Sequence, residues 1–178
     1  MKILQILDNL LLKIEEMILS WAIIIITLMV VGNVLNRAIT GSSWSFASEV
    51  GEFAIYLATF MGIGYVARSG RHISMSAFFD LSPQKVKKVM IIIVNFFTSV
   101  MLFIYSYYAF IYLKYLYGTG RVTSALEIPV YILIAPVPLG LFLGALQFLR
   151  NTWVNFKEKE VYLGTEQKDY ALEKQEEE

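Results

Sequence analysis

Long uncharged stretches alternate with short charged ones along the chain. Four windows contain no charged residue: residues 17–36, 53–67, 89–113 and 128–149. A helix needs about 20 apolar residues to cross a bilayer, and its backbone groups must be bonded internally because lipid offers no partners. Three windows are long enough alone, and the second is long enough if it extends back through Glu52 towards Ala47. The pattern predicts an all-α integral membrane protein with four transmembrane helices, at about residues 17–36, 48–67, 89–113 and 129–149.

The segment before the first window has a helical period of its own. Apolar residues recur at spacings of three and four between Ile3 and Ile14, with polar residues on the opposite face. This pattern predicts an amphipathic interfacial helix over residues 2–15, lying flat on the membrane surface. The alternative is that the segment only lengthens the first span. A signal peptide is disfavoured because Asp8, Glu15 and Glu16 precede the apolar run and no small-x-small cleavage site follows it.

The chain ends in a highly charged segment. Residues 157–178 contain eight acidic residues and four lysines, with few large apolar side chains. Such a composition cannot bury enough apolar surface to offset the entropy of ordering. We therefore predict a membrane domain over residues 1–156 and a mobile acidic cytoplasmic tail over residues 157–178.

The basic residues predict the orientation. Twelve of the fifteen lysines and arginines fall in the N-terminal segment, the loop between the second and third spans, and the C-terminal segment. Lysine and arginine are retained on the cytoplasmic side of membrane proteins. Both termini should therefore be cytoplasmic, and the loops at residues 37–49 and 114–127 should face outwards.

Composition narrows the possible functions further. The chain is 57% hydrophobic and 17% charged, whereas soluble domains average about 45 to 50% apolar and about 25% charged residues. Its formal net charge is zero, so it lacks the basic surplus of a nucleic-acid-binding protein. It has no cysteine and one histidine, which excludes thiolate and multi-histidine metal sites. We expect no metal, no cofactor and no catalytic residue.

Polar residues that could bind ions or protons cluster at the start of the second span. Glu49, Glu52 and Tyr56 are spaced by three and four residues and share one helical face. Arg37, at the end of the first span, could reach them. These acids could form an ion pair between spans or contact a partner protein, or they could carry a proton or an ion. Because they lie near the end of a span, the structural interpretation is favoured.

At the other end of the second span, Arg68 and His72 surround a glycine that can stop the helix. We expect this pair to cap the helix or to contact lipid headgroups, since His72 has no neighbouring nucleophile that would make it a catalytic base. Small residues within the spans predict close helix packing, and two prolines predict a kink in the fourth span. These positions are Gly62, Gly64, Pro136, Pro138, Gly140 and Gly144.

Several short motifs occur in a characteristic order. They are Asn33-x-x-x-Arg37, Trp44 before Glu49, Phe60-Met61-Gly62, Ala67-Arg68-x-Gly70-x-His72-Ile73, Ser82-Pro83, Gly120 before Ile128-Pro129, and Pro138-Leu139-Gly140. Together, over about residues 10–150, the chain resembles the small membrane (DctQ-type) subunit of tripartite ATP-independent periplasmic (TRAP) transporters.

The resemblance implies a non-catalytic permease subunit in a bacterial inner membrane. It implies a large multi-span membrane subunit as partner, a periplasmic substrate-binding protein, and uptake of an organic acid driven by an ion gradient, usually sodium. Arg37, Trp44, Glu49, Glu52, Arg68 and His72 would then be interface or structural residues, and membrane lipids the remaining partner. The alternatives are an autonomous proton-coupled transporter that uses Glu49 or Glu52 and, more remotely, a membrane enzyme. Without a mid-membrane charge, an internal repeat or paired broken helices, the chain lacks the usual equipment of a stand-alone transporter.

Overall fold

The structure is a computed structural model that describes residues 2–68, 83–158 and 162, with side chains from residue 12 onward. The chain forms α1 (Lys2–Thr40), α2 (Ser45–Tyr56), a π-helical turn (Leu57–Met61), α3 (Gly62–Arg68), α4 (Gln84–Thr119), α5 (Val130–Ile134) and α6 (Pro136–Lys157). An isolated antiparallel bridge joins Val122 and Pro129.

Four helical units of the described chain are long and apolar enough to cross a membrane: Leu12–Thr40, Ser45–Arg68, Gln84–Thr119 and Val130–Lys157. The predicted all-α membrane protein with four transmembrane helices is confirmed. The second unit joins α2, the π-helical turn and α3, and it begins at Ser45, so the uncharged window does extend back through Glu52.

The N-terminal segment continues directly into the first span. α1 is a single helix of 39 residues, about 58 Å long at 1.5 Å per residue, so no break separates residues 2–15 from the first transmembrane segment. The reason is local, because no glycine or proline occurs before Gly32 to interrupt the helix. The helix is much longer than the hydrocarbon core of about 30 Å. An interfacial position for residues 2–15 stays a prediction.

Glycine and proline set the remaining helix ends. Gly41 and Gly120 have positive φ angles of 74° and 62° and follow the last residues of α1 and α4, in a conformation that glycine adopts without a steric penalty. The fourth span is interrupted at Ala135, because α5 ends at Ile134 and α6 begins at Pro136. This break lies beside the proline pair that predicts a kink, since proline cannot donate the backbone hydrogen bond of a helix interior.

The helices pack in a row rather than in a closed ring. α1 packs against α2 and α3, α3 and the π-helical turn pack against α6, and α6 packs along α4. The fourth span, formed by α5 and α6, is the most enclosed of the four, with half of its apolar window buried, whereas 6% of the window of α1 is buried. α1 therefore forms one edge of the row and leaves most of its aliphatic surface uncovered.

The contact between α4 and α6 is antiparallel and includes side-chain hydrogen bonds to backbone. The hydroxyl of Ser99 donates to the carbonyl of Ala145 at 2.8 Å, and the hydroxyl of Ser106 donates to the carbonyl of Pro138 at 2.9 Å. These two hydrogen bonds fix the register of α6 against α4.

Candidate functional site

Two loops lie at the same end of the bundle: residues 41–44 between α1 and α2, and residues 120–129 between α4 and α5. We call this the tight-loop end. The first loop is held by side chains of α1. Asn33 Oδ1 accepts the backbone N–H of Trp44 at 2.7 Å, and Asn36 Nδ2 donates to the carbonyl of Ser42 at 2.7 Å. The two asparagines thereby fix the direction in which α2 leaves α1.

Trp44 lies directly over Gly32 of α1. A Cβ atom at position 32 would lie 2.9 Å from the Trp44 ring, which is closer than carbon atoms approach without displacement. The ring also stacks on Phe46, with their centroids 5.7 Å apart. Trp44 therefore closes the α1–α2 hairpin by packing, and 38% of its surface remains exposed.

Glu49 binds the second loop. One carboxylate oxygen accepts the backbone N–H of Ala125 at 2.7 Å, and the other accepts the N–H of Leu126 at 2.9 Å. A carboxylate that accepts two backbone N–H groups makes strong charge-assisted hydrogen bonds. Glu49 thus connects α2 to the loop that precedes the fourth span.

Unlike Glu49, the side chains of Glu52 and Arg37 are both exposed. Glu52 is exposed and accepts the Tyr56 hydroxyl at 2.6 Å, within its own helix. Arg37 is also exposed, and in the described part of the chain it forms no ion pair with Glu49 or Glu52. The ion pair between the first two spans that the sequence suggested as one possibility is therefore absent, because Glu49 turns to the neighbouring loop instead.

At the opposite end of the bundle, Arg68 pairs with Glu15 of α1. Arg68 Nη2 lies 3.7 Å from Glu15 Oε2, and each side chain is 5% exposed. Gly64 makes room for this pair, since a Cβ there would lie 2.7 Å from Glu15 Oε1. Opposite charges buried together avoid the high cost of a single buried charge. His72 lies outside the described residues.

The remaining predicted packing glycines lie at helix crossings. A Cβ at Gly140 would overlap the backbone carbonyl of Phe60 in the π-helical turn, and one at Gly144 would lie 2.5 Å from Ile63 Cγ2. Gly62 is less restricted, because a Cβ there would lie 3.3 Å from Leu19 Cδ2. α6 therefore approaches the second span closely only because positions 140 and 144 lack side chains.

Sequence reasoning missed a set of buried polar side chains on α4 and α6. These residues are each at most 8% exposed: Asn95, Ser99 and Ser106 on α4, and Gln147, Asn151 and Asn155 on α6. The signal was available, because residues 147, 151 and 155 recur every fourth position and so share one helical face. Asn95 is fully buried, and its amide makes no hydrogen bond within the described ranges.

Two contacts extend beyond α6 into the segment predicted as mobile. Lys88 Nζ donates to the carbonyl of Glu158 at 2.5 Å. The Asn155 side chain bonds both backbone groups of Tyr162, donating to its carbonyl at 2.8 Å and accepting its N–H at 2.9 Å. Glu158 and Tyr162 are therefore attached to the bundle, and the rest of the segment beyond Glu158, for which mobility stays a prediction, lies outside the described residues.

Comparison with known proteins identifies the family. The model of the family described as tripartite ATP-independent periplasmic transporters, DctQ component, matches residues 26–158. The chain belongs to this family. It is also similar to the ectoine TRAP transporter small permease protein TeaB of Halomonas elongata, with 38% identity over 163 residues that cover 92% of this chain and 84% of that relative.

Membership in the DctQ family agrees with the resemblance carried by the short motifs and makes the chain a small permease subunit of a TRAP transporter. The matched range includes Trp44, Glu49 and Arg68 and all four packing glycines. It leaves out residues 1–25, including the whole N-terminal amphipathic segment, and everything beyond residue 158.

Proposed function

We propose that this chain is a non-catalytic scaffold for a large multi-span TRAP membrane subunit. In this role it enlarges the fixed part of the complex during ion-driven uptake, and its tight-loop end offers a surface to a periplasmic substrate-binding protein. Both termini would be cytoplasmic in a bacterial inner membrane, as the distribution of lysine and arginine predicts.

The engagement of Glu49 is the observation that carries this proposal. Both of its oxygens accept backbone N–H groups of the loop before the fourth span. A carboxylate that carries protons or cations during transport must release its other partners, whereas both oxygens of Glu49 hold α2 against this loop. The residue best placed to act as an ion carrier is therefore assigned to structure.

The exposed apolar surface of α1 supports the same role. Residues Trp21, Leu28, Val31, Val34 and Leu35 of this helix are each more than half exposed. A membrane subunit that transported alone would require a polar path through its interior, but α1 lies at the edge of the row and offers only surface. Such an edge suits contact with lipid or with a second membrane protein.

For the transported compound we propose an organic acid and sodium as the coupling ion. The relative named as an ectoine transporter subunit makes ectoine the first compound to test. Specificity would belong to the binding protein and the large subunit, so the features of this chain do not select among organic acids.

Co-purification tests the scaffold proposal. Extraction of the tagged full chain from its native membrane in mild detergent should bring along one large membrane protein in a fixed ratio. Disruption of the tight-loop end by Gly32→Leu, which would displace Trp44, should weaken this association, whereas Gly118→Leu, where no atom lies within 4 Å of an added Cβ, should not. Uptake by the chain reconstituted alone would contradict the proposal and support the autonomous transporter.

A further inference from the structure

A groove of about 640 Å³ runs along α1 beside α3. Its length follows from its lining, which extends on α1 from Lys13 to Ile23. Ten residues of helix span about 15 Å, which is half of the hydrocarbon thickness of about 30 Å. The groove therefore covers the depth of one membrane leaflet and ends at the charged end of the first span.

The mouth of the groove carries one charge of each sign. Lys13 and Glu16 both line it, both are exposed, and their spacing of three residues puts them on one face of α1. Neither side chain forms an ion pair or a hydrogen bond with any residue that the structure describes. Two opposite charges are thus available, side by side, at the level where lipid headgroups lie.

The rest of the groove is lined mainly by apolar side chains, one of which packs between the two helices. Met17 and Ile23 are each more than half exposed along it. Leu19 lies in the groove lining and packs towards Gly62, where the two helices approach closely. Trp21 and Tyr65 complete the walls with rings that have one polar atom each, a combination typical of the membrane interface.

We propose that this groove binds one zwitterionic phospholipid with a free ammonium group, of the phosphatidylethanolamine type. Lys13 would contact the phosphate and Glu16 the ammonium, while an acyl chain follows the apolar lining towards Ile23. Charge complementarity selects this headgroup, because Glu16 would repel a purely anionic one. The site goes beyond the scaffold role, and it requires only that α1 spans a membrane.

Lipid retention measured by native mass spectrometry tests the site. The full chain, together with any subunit that accompanies it, is reconstituted in bilayers of equal parts phosphatidylethanolamine and phosphatidylglycerol and then extracted in mild detergent. The wild-type chain should retain one phosphatidylethanolamine. Lys13→Gln should lower its occupancy about tenfold, the usual effect of losing a hydrogen bond to a charged group. Ser20→Trp, which fills the groove with an exposed side chain and changes no charge, should abolish retention.

Two matched variants serve as controls. Lys85→Gln removes an exposed lysine at the start of α4, away from the groove. Ile24→Trp introduces the same tryptophan side chain at an exposed position of α1 that does not line the groove. Both should keep the lipid. The proposal is overturned if the wild-type chain retains no lipid, if it prefers phosphatidylglycerol, or if the lipid remains after Ser20→Trp. Loss of a co-purifying membrane protein in Ser20→Trp with the lipid still bound would assign the groove to a protein partner instead.

Discussion

Glu49 and Leu126 are 77 residues apart in the sequence, yet a carboxylate oxygen of Glu49 accepts the backbone N–H of Leu126 at 2.9 Å. The loop that contains Leu126 is also closed on itself, since the N–H of Thr123 donates to the carbonyl of Ile128 at 2.9 Å. Between them Glu127 has a positive φ of 54°, which is uncommon for a residue with a side chain. Glu49 thus stabilises a turn that the residues of the turn do not favour by themselves.

Side chains of the first two spans hold both loops of the tight-loop end in place. One loop is fixed by Asn33 and Trp44, and the other is fixed by Glu49. Both fixed points are on the first two spans, so the position of the fourth span at this end depends on α2. A binding protein or a large subunit would meet a preformed surface, which lowers the entropy lost on association.

The close crossing of α6 over the second span gives the first prediction. Gly144→Leu should destabilise the fold by more than the roughly 1 to 3 kcal/mol of a typical overpacked core position, because Ile63 and the α6 backbone would have to separate. Gly118→Leu is the control, because Gly118 is exposed and no atom lies within 4 Å of an added Cβ there. Thermal unfolding in detergent measures both variants. Equal melting temperatures would mean that the helices do not cross at Gly144.

The buried pair of Glu15 and Arg68 gives a second prediction. Either Glu15→Gln or Arg68→Met alone leaves one buried charge and should destabilise the chain by about 3 kcal/mol. The double variant should recover part of the loss, because no charge then remains buried at this point. A double-mutant cycle of unfolding free energies measures the coupling. Strict additivity of the two single effects would show that the residues do not interact.

Features set by local sequence patterns could be predicted, whereas contacts between residues far apart in the sequence could not. The four spans and the packing glycines follow from local patterns of charge, glycine and proline, so they could be predicted. The helix ends were predicted only approximately, since the third and fourth spans continue past residues 113 and 149 to Thr119 and Lys157. The target of Glu49 could not, because helical spacing shows which face it shares with Glu52 but not which distant loop lies beside that face. The polar face of α6 was visible as a four-residue repeat, yet an uncharged amide within a long apolar window does not by itself show whether it is buried.

The orientation of the chain gives a third prediction. Reporter fusions at Ser42, Gln84, Thr119 and Gln167 should alternate between outside, inside, outside and inside, because most basic residues are near the second and fourth of these positions. Paired reporters that are active on opposite sides of the membrane measure each site twice. An outside signal at Gln84 would reverse the topology and place the tight-loop end in the cytoplasm.

The contacts of Tyr162 give a fourth prediction, which separates two truncations of the C-terminal segment. Removal of residues 165–178 should leave stability and assembly close to normal, since this stretch is mostly charged. Removal of residues 158–178 should lower the melting temperature, because Asn155 and Lys88 would lose their partners. The two truncated chains are compared by thermal unfolding and co-purification. If they behave alike, the contacts of Tyr162 contribute nothing measurable.

The last prediction distinguishes a scaffold from a carrier at the two carboxylates of α2. Glu49→Gln replaces one acceptor oxygen with an amide donor, so one of the N–H groups of Ala125 and Leu126 loses its partner. The loop should be held less firmly, because a donor has lost its charged acceptor, and the complex should assemble less completely. Glu52→Gln keeps an acceptor for Tyr56 and should assemble normally. Co-purification and gradient-driven uptake are measured for both variants. In a scaffold, uptake per assembled complex and its ion dependence stay unchanged in both variants. In a carrier, coupled uptake stops in an intact complex, because glutamine cannot titrate, and that outcome in either variant would favour the autonomous transporter over the scaffold.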